Sequence, residues 1–154
     1  MTLDIGDKLP AFKAETAEGP ISHKDLKGSP VVIYFYPKDD TPGCTTEACE
    51  FRDNLPKFKK MNAKVYGVSK DSLKSHAKFA DKYELPFTLI SDESGEMCEA
   101  FGTWVEKSMY GRKYMGIERA TFLADDKGII RQIWRNVKAK GHAEEVLTEA
   151  KRLK

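Results

Sequence analysis

The sequence has no apolar run approaching the roughly 20 residues that cross a bilayer; its longest, Val31 to Tyr36, has six. A transmembrane helix is thereby excluded, and no membrane partner is expected. No block of basic residues stands out either. Lys and Arg number 26 against 24 Asp and Glu, a formal net charge of +2, which leaves no electrostatic footprint for nucleic acid. A phosphate-cradling G-x-x-x-x-G-K-[ST] segment is absent, and Gly111 and Gly116 do not make such a loop, so no nucleotide site is expected. Internal repeats, linkers and low-complexity tracts are missing as well. The opening MTLDIGDKLP has acidic residues where a secretory signal carries basic ones, and no long apolar stretch follows; export is not indicated and a cytoplasmic location is expected. Cysteine is scarce. Three residues, Cys44, Cys49 and Cys98, an odd number in a chain of ordinary core size, speak against a disulfide-stapled scaffold and for thiols with individual roles.

What is present is the material of one globular domain. The 154 residues are 40% apolar and 32% charged, enough to fill one core and solvate its outside. Ala11 to Ile21 reads as a hairpin around Glu18-Gly19-Pro20, leading into Ser22 as a helix cap. Val31 to Tyr36, β-branched or aromatic throughout and bounded by prolines, reads as a strand buried on both faces. A helix is predicted from Thr41 to about Lys60, with Thr41 as cap, Pro42 first and Phe51, Leu55 and Phe58 on one face; Pro56 should kink or break it. Lys64 to Ser69 follows as a strand, then a helix with Leu73, Ala77, Ala80 and Tyr83 as its apolar stripe, a strand at Phe87 to Ile90 and a short helix at Gly95 to Phe101. Lys107 to Gly116 reads as a loop. Arg119 to Ala124 and Ile129 to Trp134 flank an Asp125-Asp126-Lys127-Gly128 turn and make an antiparallel hairpin, and His142 to Leu153 closes the chain as a helix, with His142 an exposed cap residue. Strand and helix alternation followed by a hairpin predicts an α/β fold, a mixed sheet with helices on both faces laid out like thioredoxin.

The densest chemical signal is residues 34 to 53, which place Cys44 in the first turn of a helix after a central strand. In open α/β sheets sites gather beyond the carboxyl ends of strands, and a helix start offers free N–H groups and a positive dipole end that favour a thiolate. The competing possibility is an inert buried cysteine, but Asp39, Asp40, Thr41, Pro42 and Gly43 make a polar turn, and Cys49 lies five residues on. Structural zinc sites pair ligands two to four residues apart, twice over. Cys98 and the scattered His23, His76 and His142 supply no second pair, so no metal is expected, and Asp125-Asp126 is turn chemistry.

Pro37-Lys38-Asp39-Asp40-Thr41-Pro42-Gly43-Cys44 resembles the P-x-x-x-T-x-x-C motif of peroxiredoxins, and Cys49 five residues later is similar to the bacterioferritin comigratory protein, or peroxiredoxin Q, subfamily. The likeness extends to GDKLPAF, YGVSKDS, LPFTLISD and KYMGIERATFLADDKG. It implies a thioredoxin-like fold and a thioredoxin-dependent peroxidase for hydrogen peroxide and organic hydroperoxides, usually monomeric, whose only redox group is its own cysteine pair, with no cofactor. By that resemblance Cys44 is the peroxidatic cysteine, Cys49 the resolving one, Thr41 and Arg119 bind peroxide, and Pro37 shields the thiolate. Cys98 has no role in the pattern. A disulfide reductase of the same fold would carry C-x-x-C rather than the C-x-x-x-x-C found here. A redox-sensing or chaperone-like thiol protein with little turnover is the other class of reading.

Overall fold

The computed structural model describes residues 3–153. The uninterrupted apolar segment folds as β3 (Val31–Phe35), buried at every position. Alternation along it explains why: Val32 and Tyr34, with Tyr36 just beyond, point into one core, while Val31, Ile33 and Phe35 point into another on the opposite face. Parallel crossovers follow. The helix α1 (Pro42–Lys60) carries the chain to β4 (Lys64–Ser69), which lies parallel to β3, and α2 (Leu73–Tyr83) carries it to β5 (Thr88–Ser91), parallel to β4.

A hairpin, β1 (Lys13–Thr16) with β2 (Gly19–Ser22), extends the sheet beyond β5. On the other side β8 (Ala120–Ala124) runs antiparallel to β3, and β9 (Ile130–Trp134) antiparallel to β8. The seven strands stand in the order β2-β1-β5-β4-β3-β8-β9. Phe51, Leu55 and Phe58 of α1, Phe79 of α2 and Val146, Leu147 and Ala150 of α4 (His142–Ala150) fill one face. Met97 and Cys98 of α3 (Glu96–Ala100), with Phe12, Leu26 and Phe101, fill the other. No helix among the described residues is long and apolar enough to cross a membrane.

Several expectations are corrected. Pro56 does not end α1, which continues to Lys60. It sits on the exposed side, where solvent can take the carbonyl it leaves unbonded, while Leu55 and Phe58 keep the buried face in register. Of the expected α2 stripe, Ala80 and Tyr83 pack partly buried against the core, whereas Leu73 and Ala77 are exposed; the fully buried positions are His76 and Phe79. The expected loop at 107 to 116 is a second small sheet, β6 (Trp104–Met109) paired with β7 (Arg112–Ile117). Tyr110 and Gly111 both take positive φ, 51° and 78°, the two-residue turn that matches strand twist. The first hairpin turns at Ala17-Glu18, with Gly19 at φ 114° opening β2. His142 is buried, 2.7 Å from the Thr121 hydroxyl through Nε2, instead of exposed.

Candidate active site

Where β3 ends, Tyr36 is still hydrogen-bonded to Val68 through its N–H at 3.0 Å, and the chain then leaves the sheet as an exposed Pro37-Lys38 step. It re-enters as α1 with Thr41 in extended N-cap geometry and Pro42 at the first helical position. Thr41 is not a side-chain cap. Its hydroxyl donates back to the Lys38 carbonyl at 2.9 Å, while its own carbonyl accepts from Thr45 N–H at 2.8 Å. The hydroxyl therefore reports the conformation of the loop rather than of the helix.

Cys44 follows in the first turn, 1% exposed. Arg119, immediately ahead of β8, is brought to it because β8 pairs with β3; its Nη2 donates to Cys44 Sγ at 3.3 Å. A Cβ at Gly43 would meet that same Nη2 at 3.2 Å, so glycine there clears the path of the guanidinium. The other arm of the fork, Nη1, donates to Glu47 Oε1 at 2.8 Å. Glu47 is one turn beyond Cys44 and fully buried. Burial pushes its carboxyl up to about 7 against the opposing charge and hydrogen bond of Arg119. Burial disfavours the guanidinium, and Glu47 and Cys44 outweigh that, holding Arg119 above its ordinary value. The fixed cation thus lies between an acid and a sulfur, both buried. Beneath them the Tyr34 hydroxyl and Glu47 Oε2 have no hydrogen-bond partner among the described residues.

Cys49 lies on the same continuous helix, half-buried, and all three cysteines are free. Residues five apart in a regular helix have Cα atoms roughly 8.6 Å apart, beyond the ~7 Å that a disulfide spans. Cys98 belongs to the opposite core, where burial and then the hydrogen bond and charge of Asp92 push its thiol far up.

A further cluster flanks the loop. Asp39, Asp71 and His76 offer ligand atoms within 4.8 Å of one another, but these atoms are already engaged. Asp39 accepts from Tyr36 and Ser75, Asp71 accepts from the Asp39 N–H and Ser69, and His76 bonds Asp39 and the Ile90 carbonyl. Nothing in the spacing of the sequence marked Asp39 and His76 as partners. Glu47 was legible only as the residue three after Cys44, hence on its face of the helix.

Residues 5–133 match the AhpC/TSA family. The chain is 47% identical over 152 residues to peroxiredoxin Bcp of Bacillus subtilis, covering 98% of this chain and 97% of that one. Among solved structures, a cysteine-to-serine variant of PrxQ from Xylella fastidiosa superposes with a TM-score of 0.92 at 42% identity, covering 99% and 98% of the two chains. The bacterioferritin comigratory protein of Xanthomonas campestris superposes at 0.87 with 45% identity over 92% and 90%. These neighbours share the thioredoxin-like sheet and helices described above. With the family matched over most of its length and relatives of this identity end to end, the chain belongs to the AhpC/TSA family as a peroxiredoxin of the Bcp and PrxQ kind, a thiol peroxidase.

Proposed function

We propose that Cys44 is the thiol that attacks peroxide, that Cys49 resolves it, and that a dithiol protein of the thioredoxin type restores the pair. The observation carrying this reading is the Arg119 Nη2 contact to the buried Cys44 sulfur at 3.3 Å in the first turn of α1, with Cys49 five residues on. The helix start and the guanidinium both set positive charge beside the sulfur, the surroundings in which thiol nucleophiles work. The thiolate attacks one peroxide oxygen; the O–O bond breaks and the other oxygen leaves as hydroxide or alkoxide, which takes up a proton. Cys44 becomes a sulfenic acid and one molecule of water or alcohol is released. Arg119 is suited to neutralise the charge growing on the leaving oxygen, and Thr41 supplies a hydroxyl at the same helix start. Pro37 fixes the exit of the chain from the sheet and screens the sulfur from solvent.

The sulfenic acid then condenses with the Cys49 thiol, giving a disulfide and water. Two thiols of the reductant return the pair to its starting state. Hydrogen peroxide and organic hydroperoxides are the proposed substrates, the latter in line with the alkyl peroxide reduction described for the Xanthomonas campestris relative. The chain acts as a monomer with no cofactor in this reading.

Steady-state peroxide consumption coupled to a thioredoxin system tests it. Many turnovers per protein are expected with both hydrogen peroxide and a bulky hydroperoxide, and none from Cys44→Ser. One turnover per protein would favour the sensor reading, and substantial turnover by Cys44→Ser would remove Cys44 from the chemistry.

A further inference from the structure

Asp39 sits in the loop between β3 and α1, buried at 8% exposure although both its neighbours are exposed. Its carboxylate accepts from the Tyr36 hydroxyl on Oδ1 and from Ser75 Oγ on Oδ2 at 2.8 Å. Its N–H donates to Asp71 Oδ2 at 2.8 Å, an oxygen that also accepts from Ser69 Oγ at 2.6 Å. His76 Nδ1 lies 2.7 Å from Asp39 Oδ2, and His76 Nε2 lies 2.9 Å from the carbonyl oxygen of Ile90 in β5. A carbonyl oxygen only accepts, so Nε2 carries a proton; an ionised Asp39 also only accepts, and Nδ1 then carries one too. So protonated, the ring is an imidazolium in a buried ion pair with Asp39.

Every element around the pair contributes to it. Tyr36 faces it from just beyond β3, Ser69 from the end of β4 and Asp71 from the turn after it, Ser75 from α2 and the Ile90 carbonyl from β5, while Lys74, Lys78 and Lys82 border the adjoining groove. Burial disfavours the imidazolium, and the bond and charge of Asp39, the Ile90 carbonyl and the charge of Asp71 outweigh it, raising the His76 pKa above its ordinary value. The next residue, Asp40, takes φ 55°, the left-handed region, and is held there by Lys82 Nζ at 2.8 Å and the Tyr83 hydroxyl at 2.7 Å. Such a conformation persists only where its surroundings impose it. Both constraints tie the loop to α2, and α1 begins directly after them with Thr41.

We propose that His76 is a positioning residue of the thiol site: its ion pair with Asp39 holds residues 37 to 41, and with them Thr41 and the first turn of α1, against α2, and loss of the pair shifts the protein toward the unwound form in which Cys49 reaches Cys44. The proposal rests on the reading of Cys44 as the attacking thiol. Two reactions compete for the sulfenic acid: condensation with Cys49, releasing water, and attack on a second peroxide, giving a sulfinic acid and water or alcohol. A loosened loop slows the first attack and favours condensation over the second. The anchor is complete below about pH 6.5, the ordinary histidine value, and is lost as pH rises through the raised value in the folded protein.

The test uses the full chain with His76→Phe, Asp39→Asn and His76→Asn, the last keeping a neutral donor close to the position of Nδ1. Stopped-flow reaction of the reduced proteins with hydrogen peroxide is followed from pH 5.5 to 9, and the sulfinic fraction at Cys44 is measured by mass after excess peroxide. At neutral pH, His76→Phe and Asp39→Asn should react more slowly because Thr41 and the first turn of α1 are displaced, and should yield up to about tenfold less sulfinic acid per turnover, the gain in unwound fraction from losing one charged hydrogen bond. His76→Asn should recover part of the rate. The unaltered protein should show an alkaline decline in attack rate that His76→Phe lacks. Unchanged rate, sulfinic yield and alkaline limb in both His76→Phe and Asp39→Asn would overturn the proposal, and so would slower attack with unchanged or higher sulfinic yield, which marks general destabilisation. Absence of any sulfenic, sulfinic or disulfide product at Cys44 in the unaltered protein would instead overturn the assignment of the attacking thiol, and this proposal with it.

Discussion

Oxidising Cys44 and Cys49 to a disulfide should unwind the amino-terminal turns of α1, at a cost that falls as pH rises. The helix runs unbroken through both cysteines, which leaves their Cα atoms roughly 8.6 Å apart by helix geometry against a disulfide limit of about 7 Å. Freeing residues 44 to 49 breaks the bonds made by the amides of 45 to 52, because the first amides of the shortened helix lose their acceptors too; Thr45 N–H to Thr41 carbonyl at 2.8 Å is the first. At about 1 kcal/mol net for each of the eight, that is about 8 kcal/mol. Glu47 opposes winding at higher pH. Its carboxyl is raised from 4.5 to about 7 by burial, with Arg119 pulling the other way, a difference of about 3 kcal/mol. Between those two values the wound helix binds more proton than the unwound one, so stability of the wound form declines with rising pH across this window. Opening should therefore cost about 3 kcal/mol less above pH 7 than below pH 4.5. Hydrogen exchange by mass spectrometry, corrected for intrinsic rates, reads this on the reduced and oxidised forms, with β3 as the protected reference. Faster exchange across residues 41 to 55 is expected on oxidation, with a pH slope in the reduced form that Glu47→Gln flattens. Unchanged exchange across that segment, in protein whose Cys44 to Cys49 bridge is confirmed by mass, would refute the geometric reasoning; equal slopes in the unaltered and Glu47→Gln proteins would refute the role of the buried acid.

Other expectations follow from single contacts. Cys49→Ser should leave the first attack intact and allow a dimedone-type reagent to trap the sulfenic acid on Cys44; normal cycling with thioredoxin would move the resolving role elsewhere. Arg119→Ala should slow attack about 100-fold or more, the usual effect of removing one aimed donor, measured at a pH where the thiol is ionised in both proteins; equal rates there would confine Arg119 to favouring the thiolate. The same substitution leaves Glu47 buried without its partner, so a loss of about 3–5 kcal/mol in denaturant unfolding is expected at pH 8, and a smaller loss at pH 5, where Glu47 is protonated. Cys98 should remain reduced after stoichiometric peroxide by peptide mapping, because its thiol lies in the core on the other face of the sheet.

The place of Cys44 in the fold was legible because it is local. A proline-bounded run of β-branched and aromatic residues dictates a strand buried on both faces, and Thr41-Pro42-Gly43-Cys44 dictates a helix start, so Cys44 had to lie at a strand end in a first helical turn. Periodicity misled where burial was decided by partners rather than by hydropathy. His76 faces inward in α2 because Asp39 and the Ile90 carbonyl satisfy both its nitrogens, and His142 is buried because Thr121 meets it. Residues 107 to 116 read as loop because a two-stranded ribbon with one side in solvent needs no apolar alternation to form.

The residue pattern dictated the order of strands and helices outside the ribbon of β6 and β7, the helical position of Cys44 and the five-residue spacing to Cys49. What surrounds the sulfur was decided by packing. Arg119 is 75 residues from Cys44 and reaches it because β8 pairs antiparallel with β3, and His76 is 37 residues from Asp39 and reaches it because the β4 to β5 crossover lays α2 beside the loop. Local propensity acts over one turn or one strand, whereas a buried charge is stable only where distant segments bring it a partner, and that pairing is fixed by the packing of the whole sheet.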